Sequence, residues 1–192
     1  MSGNDSFAAP RLDRRARRTR DALGDALVAL MHEKPYDAIT VGEVLERARV
    51  ARSTFYSHFA HKDDLFFTEV DEFFAAMAAH LSRAAEPSRR VAPVRELFAH
   101  VADMRPFVRA LVEARQLHDV FELGRRHFAA GIESRLRELG AADGRTDATL
   151  RAAASFFAGA LFSSLTDWIV GSEPADPAAM DELFHELVWN GV

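Results

Sequence analysis

The stretch from Thr40 to Lys62, T-V-G-E-V-L-E-R-A-R-V-A-R-S-T-F-Y-S-H-F-A-H-K, constrains this chain most, because it demands two short helices joined by a tight turn. Thr40 followed three residues on by Glu43 is a capping box. The hydroxyl takes an orphan amide of the first turn while the carboxylate reaches back to the cap's own amide. A helix start at Val41 follows. Val44, Leu45 and Ala48 then share one apolar face. Arg49-Val50-Ala51 leaves three residues for the change of direction before Arg52. Two short helices so joined form a helix-turn-helix.

From Arg52 onward the side chains divide by face. Phe55 and Phe59, four apart, turn inward, and Arg52, Ser53, Thr54, Tyr56, Ser57 and His58 remain for the outer surface. Arginine reads a guanine edge bidentately, and hydroxyls meet bases or phosphates. The tyrosine hydroxyl, imidazole and Lys62 ammonium suit phosphate oxygens beside a helix lying in a major groove. The plain alternative is a surface hairpin with a solvated polar face. The capping box, three-residue turn and donor set together weigh against it.

Ile39-Thr40-Val41, Ala48-x-Val50, Ser53-Thr54-Phe55-Tyr56-x-His58-Phe59 and Lys62 resemble the signature of the tetracycline-repressor (TetR) family of transcriptional regulators. The resemblance spans roughly residues 14 to 75 and beyond them extends only to length and helical character. It implies an all-α chain: an N-terminal three-helix DNA-binding domain over residues 1–62, and a helical effector-binding and dimerisation domain over residues 63–192. With the donor chemistry above, the expected DNA contacts are Arg17, Thr40, Val41, Arg52, Ser53, Thr54, Tyr56, Ser57, His58 and Lys62. Two positions depart from the pattern. Arg49 stands where such turns often carry glycine or asparagine, at a cost of about 1 to 2 kcal/mol if the left-handed geometry is kept. Ser57 replaces a commonly larger side chain, so base readout is expected to lean on Arg52, Ser53 and Thr54.

The net charge of −5 argues, taken alone, against a nucleic-acid partner, but its distribution reverses that reading. Residues 1–62 hold 11 Lys and Arg against 8 Asp and Glu; residues 63–192 hold 13 against 21. The basic end coincides with the proposed DNA module. Six arginines between Arg11 and Arg20 read either as an arm that follows phosphates or enters a minor groove, or as a solvated arm. The absence of cysteine excludes disulfides, thiolate metal sites and cysteine nucleophiles. No apolar run is read as a membrane span, and the N-terminus lacks the basic-then-apolar order of a signal peptide, so a cytoplasmic location is expected.

An amphipathic first helix is expected from about Asp13 to His32, with Leu23, Ala26, Leu27, Leu30 and Met31 as its stripe, stopped by Lys34-Pro35. Asp63-Asp64 open a helix of about five turns that reaches Leu81. Residues 84–93 read as a connector. Further helices are expected at about 94–104 and 106–114, then to Leu139, from Asp147 to Val170 and from Pro177 to Trp189. The Asp147 to Val170 segment is apolar or small nearly all round and must be buried on more than one side. Pairing of the last two helices with those of a second copy, in a four-helix bundle, is the expected homodimer. Leu161 and Phe184 mark its apolar surface, and a monomer packed on the preceding helix is the alternative.

Fifteen phenylalanines exceed what helix seams require, so an apolar effector pocket is expected between Phe66 and Phe162. Its candidate lining is Phe74, Met77, Phe98, Met104, Phe107, Phe121, Phe128 and Phe157, with His100, Arg115 and His118 as polar groups. His58 and His61 beside Asp63 and Asp64 have thinkable metal spacing, but phosphate contact or exposure explains them better. No catalytic motif, metal site or cofactor is expected. The function read from the sequence is a DNA-binding transcriptional regulator, a repressor released from operator duplex by a small apolar or aromatic effector. The rival is a DNA-bound structural or co-regulatory protein without an effector pocket.

Overall fold

The structure, a computed structural model, describes the backbone of residues 9–83, 88–113, 116–140, 144, 146–171 and 175–190. The described residues form helices α1 (Ala9–Glu33), α2 (Val41–Ala48), α3 (Arg52–Tyr56), α4 (Lys62–Ala78), α5 (His80–Arg83), α6 (Val94–Asp103), α7 (Arg105–Glu113), α8 (Leu117–Glu138), α9 (Asp147–Val170) and α10 (Pro177–Asn190), with no strand among them. The fold is all-α. Two compact units divide the chain, Met1–Glu69 and Val70–Val192. The division falls inside α4. Leu65 and Phe66, on the first turn of α4, are buried, and the Phe66 ring meets Tyr36 at 5.0 Å.

In the first unit the α1 stripe is buried at Leu23, Ala26, Leu27 and Leu30. The arginines from Arg11 to Arg20 lie on α1, not on a flexible arm. Pro10 occupies the first turn, where its missing amide costs nothing, and no breaker follows before Pro35. After Glu33 the chain makes a short 3₁₀ turn (Tyr36–Ala38) and enters α2 through the expected capping box. The Glu43 amide donates to Thr40 Oγ1 at 3.3 Å, and the Thr40 amide donates to Glu43 Oε2 at 2.9 Å. α2 ends at Arg49 with φ 54° and ψ 41°. The Val50 amide closes that turn on the Leu45 carbonyl at 3.1 Å, as in a Schellman motif. Phe55 and Phe59 are buried with ring centroids 5.7 Å apart, which orients α3.

In the second unit α8 and α9 carry the core. A side-chain carbon added at Gly124 would lie 2.4 Å from Phe162 and 2.8 Å from Phe74, so only glycine admits these rings. Phe162 meets Phe74, Phe121 and Phe128 edge-on, with centroids 5.2–5.7 Å apart. The connector before α6 is pinned. His185 Nε2 accepts the Val91 amide at 3.0 Å, and buried Arg135 donates to the carbonyls of Arg90 at 3.1 Å and Ser88 at 2.9 Å. The Arg90 guanidinium bridges Glu96 and Asp181. Burial pushes the Asp181 carboxyl up, but bonds from His185, Arg90 and the Arg95 amide outweigh it and hold it at about 2.

Two expectations need correction here. Leu161 and Phe184 are 2% and 8% exposed within one protomer, so they belong to its core. On α9 and α10 the large apolar side chains left outside are Phe156, Val170, Leu183 and Leu187. α9 is also long and apolar enough to cross a membrane by length and composition, contrary to the reading of no such run. Asp147, Arg151 and Asp167 are its charged residues, near its two ends, and α9 packs on α8 with Leu150, Ala154, Ala158 and Leu165 buried.

Candidate nucleic-acid interface

Because Phe55 and Phe59 take the inner face of α3, its polar residues fall outside. Arg52, Ser53 and Tyr56 are exposed, the tyrosine by 51%, while Thr54 and His58 are half-buried. The Ser57 hydroxyl donates to the Thr54 carbonyl at 2.7 Å and closes the end of α3. The Thr40 oxygen is occupied by the capping box, and Val41 is half-buried at the start of α2. Arg17 is exposed on α1.

The cations around this surface fall into two groups. Lys34 pairs with Glu43, and Arg47 grips Glu33 through both terminal nitrogens at 2.5 and 2.9 Å. Lys34 first, then the Thr40 amide and hydroxyl, hold the Glu43 carboxyl down at about 2. Lys62 turns inward, donating to the carbonyls of Tyr36 at 2.8 Å and Ile39 at 2.9 Å, with its ammonium 3.9 Å from the centre of the Tyr36 ring. Burial lowers its pKa. Lys62 thereby ties the turn before α2 to the start of α4. The side chains of Arg49, in the three-residue turn, and Arg52, just after it, have no hydrogen bond or ion pair among the described residues.

The carboxylates beside His58 and His61 are engaged elsewhere. Asp63 accepts the Tyr36 hydroxyl, and Asp64 Oδ2 accepts the amides of Ala60 at 2.9 Å and His61 at 3.1 Å, capping α4. Burial first, then the bond to Asp63, pushes the Tyr36 phenol up. Tyr36, Asp63 and Lys62 thus form one polar clamp beneath the helix-turn-helix. Sequence reasoning missed it because its members lie 27 residues apart.

The expected effector residues scatter. Phe74, Phe98 and Phe128 are buried, Phe98 against Trp168 at 5.3 Å. Phe157 packs on Phe184 at 6.3 Å, His100 stacks on Phe73 at 4.3 Å, and Met77, Met104 and Phe107 are half-buried. Arg115 lies outside the described residues. His118 and Phe121 come together in a cleft of about 330 Å³ between α8 and α9, with Leu117, Arg125, Gly159 and Phe162 around them.

Residues 23–68 match the family model described as bacterial regulatory proteins, tetR family. A relative in Bacillus subtilis (strain 168), the uncharacterized HTH-type transcriptional regulator YxbF, is 36% identical over 78 residues, which are 40% of this chain and 20% of that protein. The match thus spans about a fifth of the relative's length. The crystal structure of Thermus thermophilus FadR, a TetR-family transcriptional repressor in complex with lauroyl-CoA, superposes with a TM-score of 0.62 at 21% identity, over 90% of this chain and 94% of that one. A TetR transcriptional regulator from Streptococcus agalactiae gives 0.57 at 21% identity, over 94% and 98%. The capped α2, the left-handed turn and the outward-facing α3 all lie inside the segment that is similar to bacterial regulatory proteins of the tetR family, and the all-α fold is that of the two solved structures.

Proposed function

We propose that this chain is a homodimeric repressor that seats α3 of each protomer in the major groove of a two-fold symmetric operator. The observation that carries the reading is the exposure of Arg52, Ser53 and Tyr56 on a helix whose opposite face is fixed by Phe55 and Phe59. Dimerisation supplies the second half-site reader. Phe156 is 73% exposed, Val170 65%, Leu183 49% and Leu187 39%, all on the two helices read as the bundle. A second copy of the same surface is the occupant proposed. Cytoplasmic residence goes with this role.

The effector proposed is a small, mostly apolar molecule seated in the α8–α9 cleft, over Phe121 and Phe162. FadR of Thermus thermophilus was crystallised with lauroyl-CoA, an apolar chain bearing an anionic head. His118 at the cleft would suit such a head, while Arg125 is held there by Glu122. Release follows a population shift: an effector favouring a state with wrongly spaced recognition helices lowers operator affinity by its differential affinity for the two states.

Titration of the full chain against duplexes from upstream of its own gene tests the DNA reading. Arg52→Ala should relax base preference at one position per half-site, by about 1 to 3 kcal/mol if the contact is bidentate. An equal loss on every sequence would contradict base readout by Arg52.

A further inference from the structure

We infer that Arg49 is a further DNA contact, a phosphate-binding arginine held out from the helix-turn-helix turn; this rests on the DNA-binding reading above. Arg49 is the single non-glycine residue with positive φ among the described residues. Its backbone job, closing α2 so that the Glu46 and Leu45 carbonyls are satisfied, is done by the left-handed conformation itself and needs no side chain. Glycine would do it without steric cost. A strained position kept by a bulky residue points to work done by that residue's side chain.

What the side chain does not do is structural. Of the cations from Lys34 to Lys62, Lys34, Arg47 and Lys62 are bound to carboxylates or carbonyls of the same unit. Arg49 and Arg52 are exposed and hold none. Arg49 lies in the turn that leads into α3, and Arg52 opens α3 three residues on. If Arg52 enters the groove at the start of α3, Arg49 stands beside the strand that borders it. A guanidinium there meets phosphodiester oxygens, independent of base identity.

The test uses the full chain and a mixed-sequence duplex of about 30 base pairs, since a phosphate contact needs no particular operator. Binding is measured by fluorescence anisotropy over a salt series for wild type, Arg49→Gly and Arg49→Lys, with thermal unfolding of each. Arg49→Gly should flatten the slope of log affinity against log salt by about 0.9 per protomer while raising Tm by a few degrees. Arg49→Lys should restore most of the slope without the rise in Tm. An unchanged slope in Arg49→Gly overturns the proposal. An unchanged slope with a lower Tm would assign Arg49 to the negative end of α2 instead. Failure of the wild type to bind any duplex at low salt would remove the DNA-binding reading itself, and Arg49's role with it.

Discussion

At the scale of single residues, Lys62 shows how chemistry inferred from a side chain is redirected by its surroundings. A lysine at the end of a DNA-reading helix invites assignment to phosphate, yet two of its three donors are spent on the Tyr36 and Ile39 carbonyls. Lys62→Ala would leave those acceptors without partners and remove the cation from the Tyr36 ring, and is expected to destabilise the first unit by about 1 to 3 kcal/mol. Thermal unfolding measures this, and a Tm equal to wild type would return Lys62 to a purely phosphate-binding role. Short-range chemistry was readable: Thr40 with Glu43, Phe55 with Phe59 and Asp64 at the start of α4 each involve partners within four residues. The clamp of Tyr36, Asp63 and Lys62 was not, because it is closed only by tertiary contact.

At the scale of elements, the bounds of α9 and the ends of α1 and α10 follow from local signals: Thr146 caps α9, Pro35 follows α1, and Asp176 accepts the Ala178 amide at 3.0 Å. Which face of α9 looks where did not follow. A helix apolar or small all round has no stripe to read, so Leu161 was placed outward although it is core. Packing of α8 depends on the missing side chain at Gly124. Gly124→Ala should cost about 1 to 3 kcal/mol, since the added carbon would overlap the Phe162 and Phe74 rings. A Tm unchanged by this substitution would mean that the ring cluster is loosely packed. The link between α6 and α10 has a pH signature. Asp181 is held at about 2, below its ordinary value, so its stabilising contribution is complete above the ordinary carboxylate range and is lost as pH falls towards 2. Asp181→Asn should flatten the acid limb of the stability curve between about pH 4 and 2, and an unaltered limb would show that other carboxylates carry it.

At the scale of the whole molecule, the proposed function depends on two copies acting together. Phe156→Glu places charge on a surface already exposed in the protomer, so folding should survive while association is lost. Sedimentation with circular dichroism reads both, and a folded dimer in this variant would move the interface elsewhere. The central claim, that paired α3 helices read operator DNA, is tested most directly by selecting bound sequences from a pool of randomised duplexes with the full chain. The expected result is enrichment of one inverted repeat, with half-sites about one helical turn apart, and loss of preference at one position per half-site for Arg52→Ala. Recovery of the starting pool unchanged, at salt low enough for binding to occur, would contradict it.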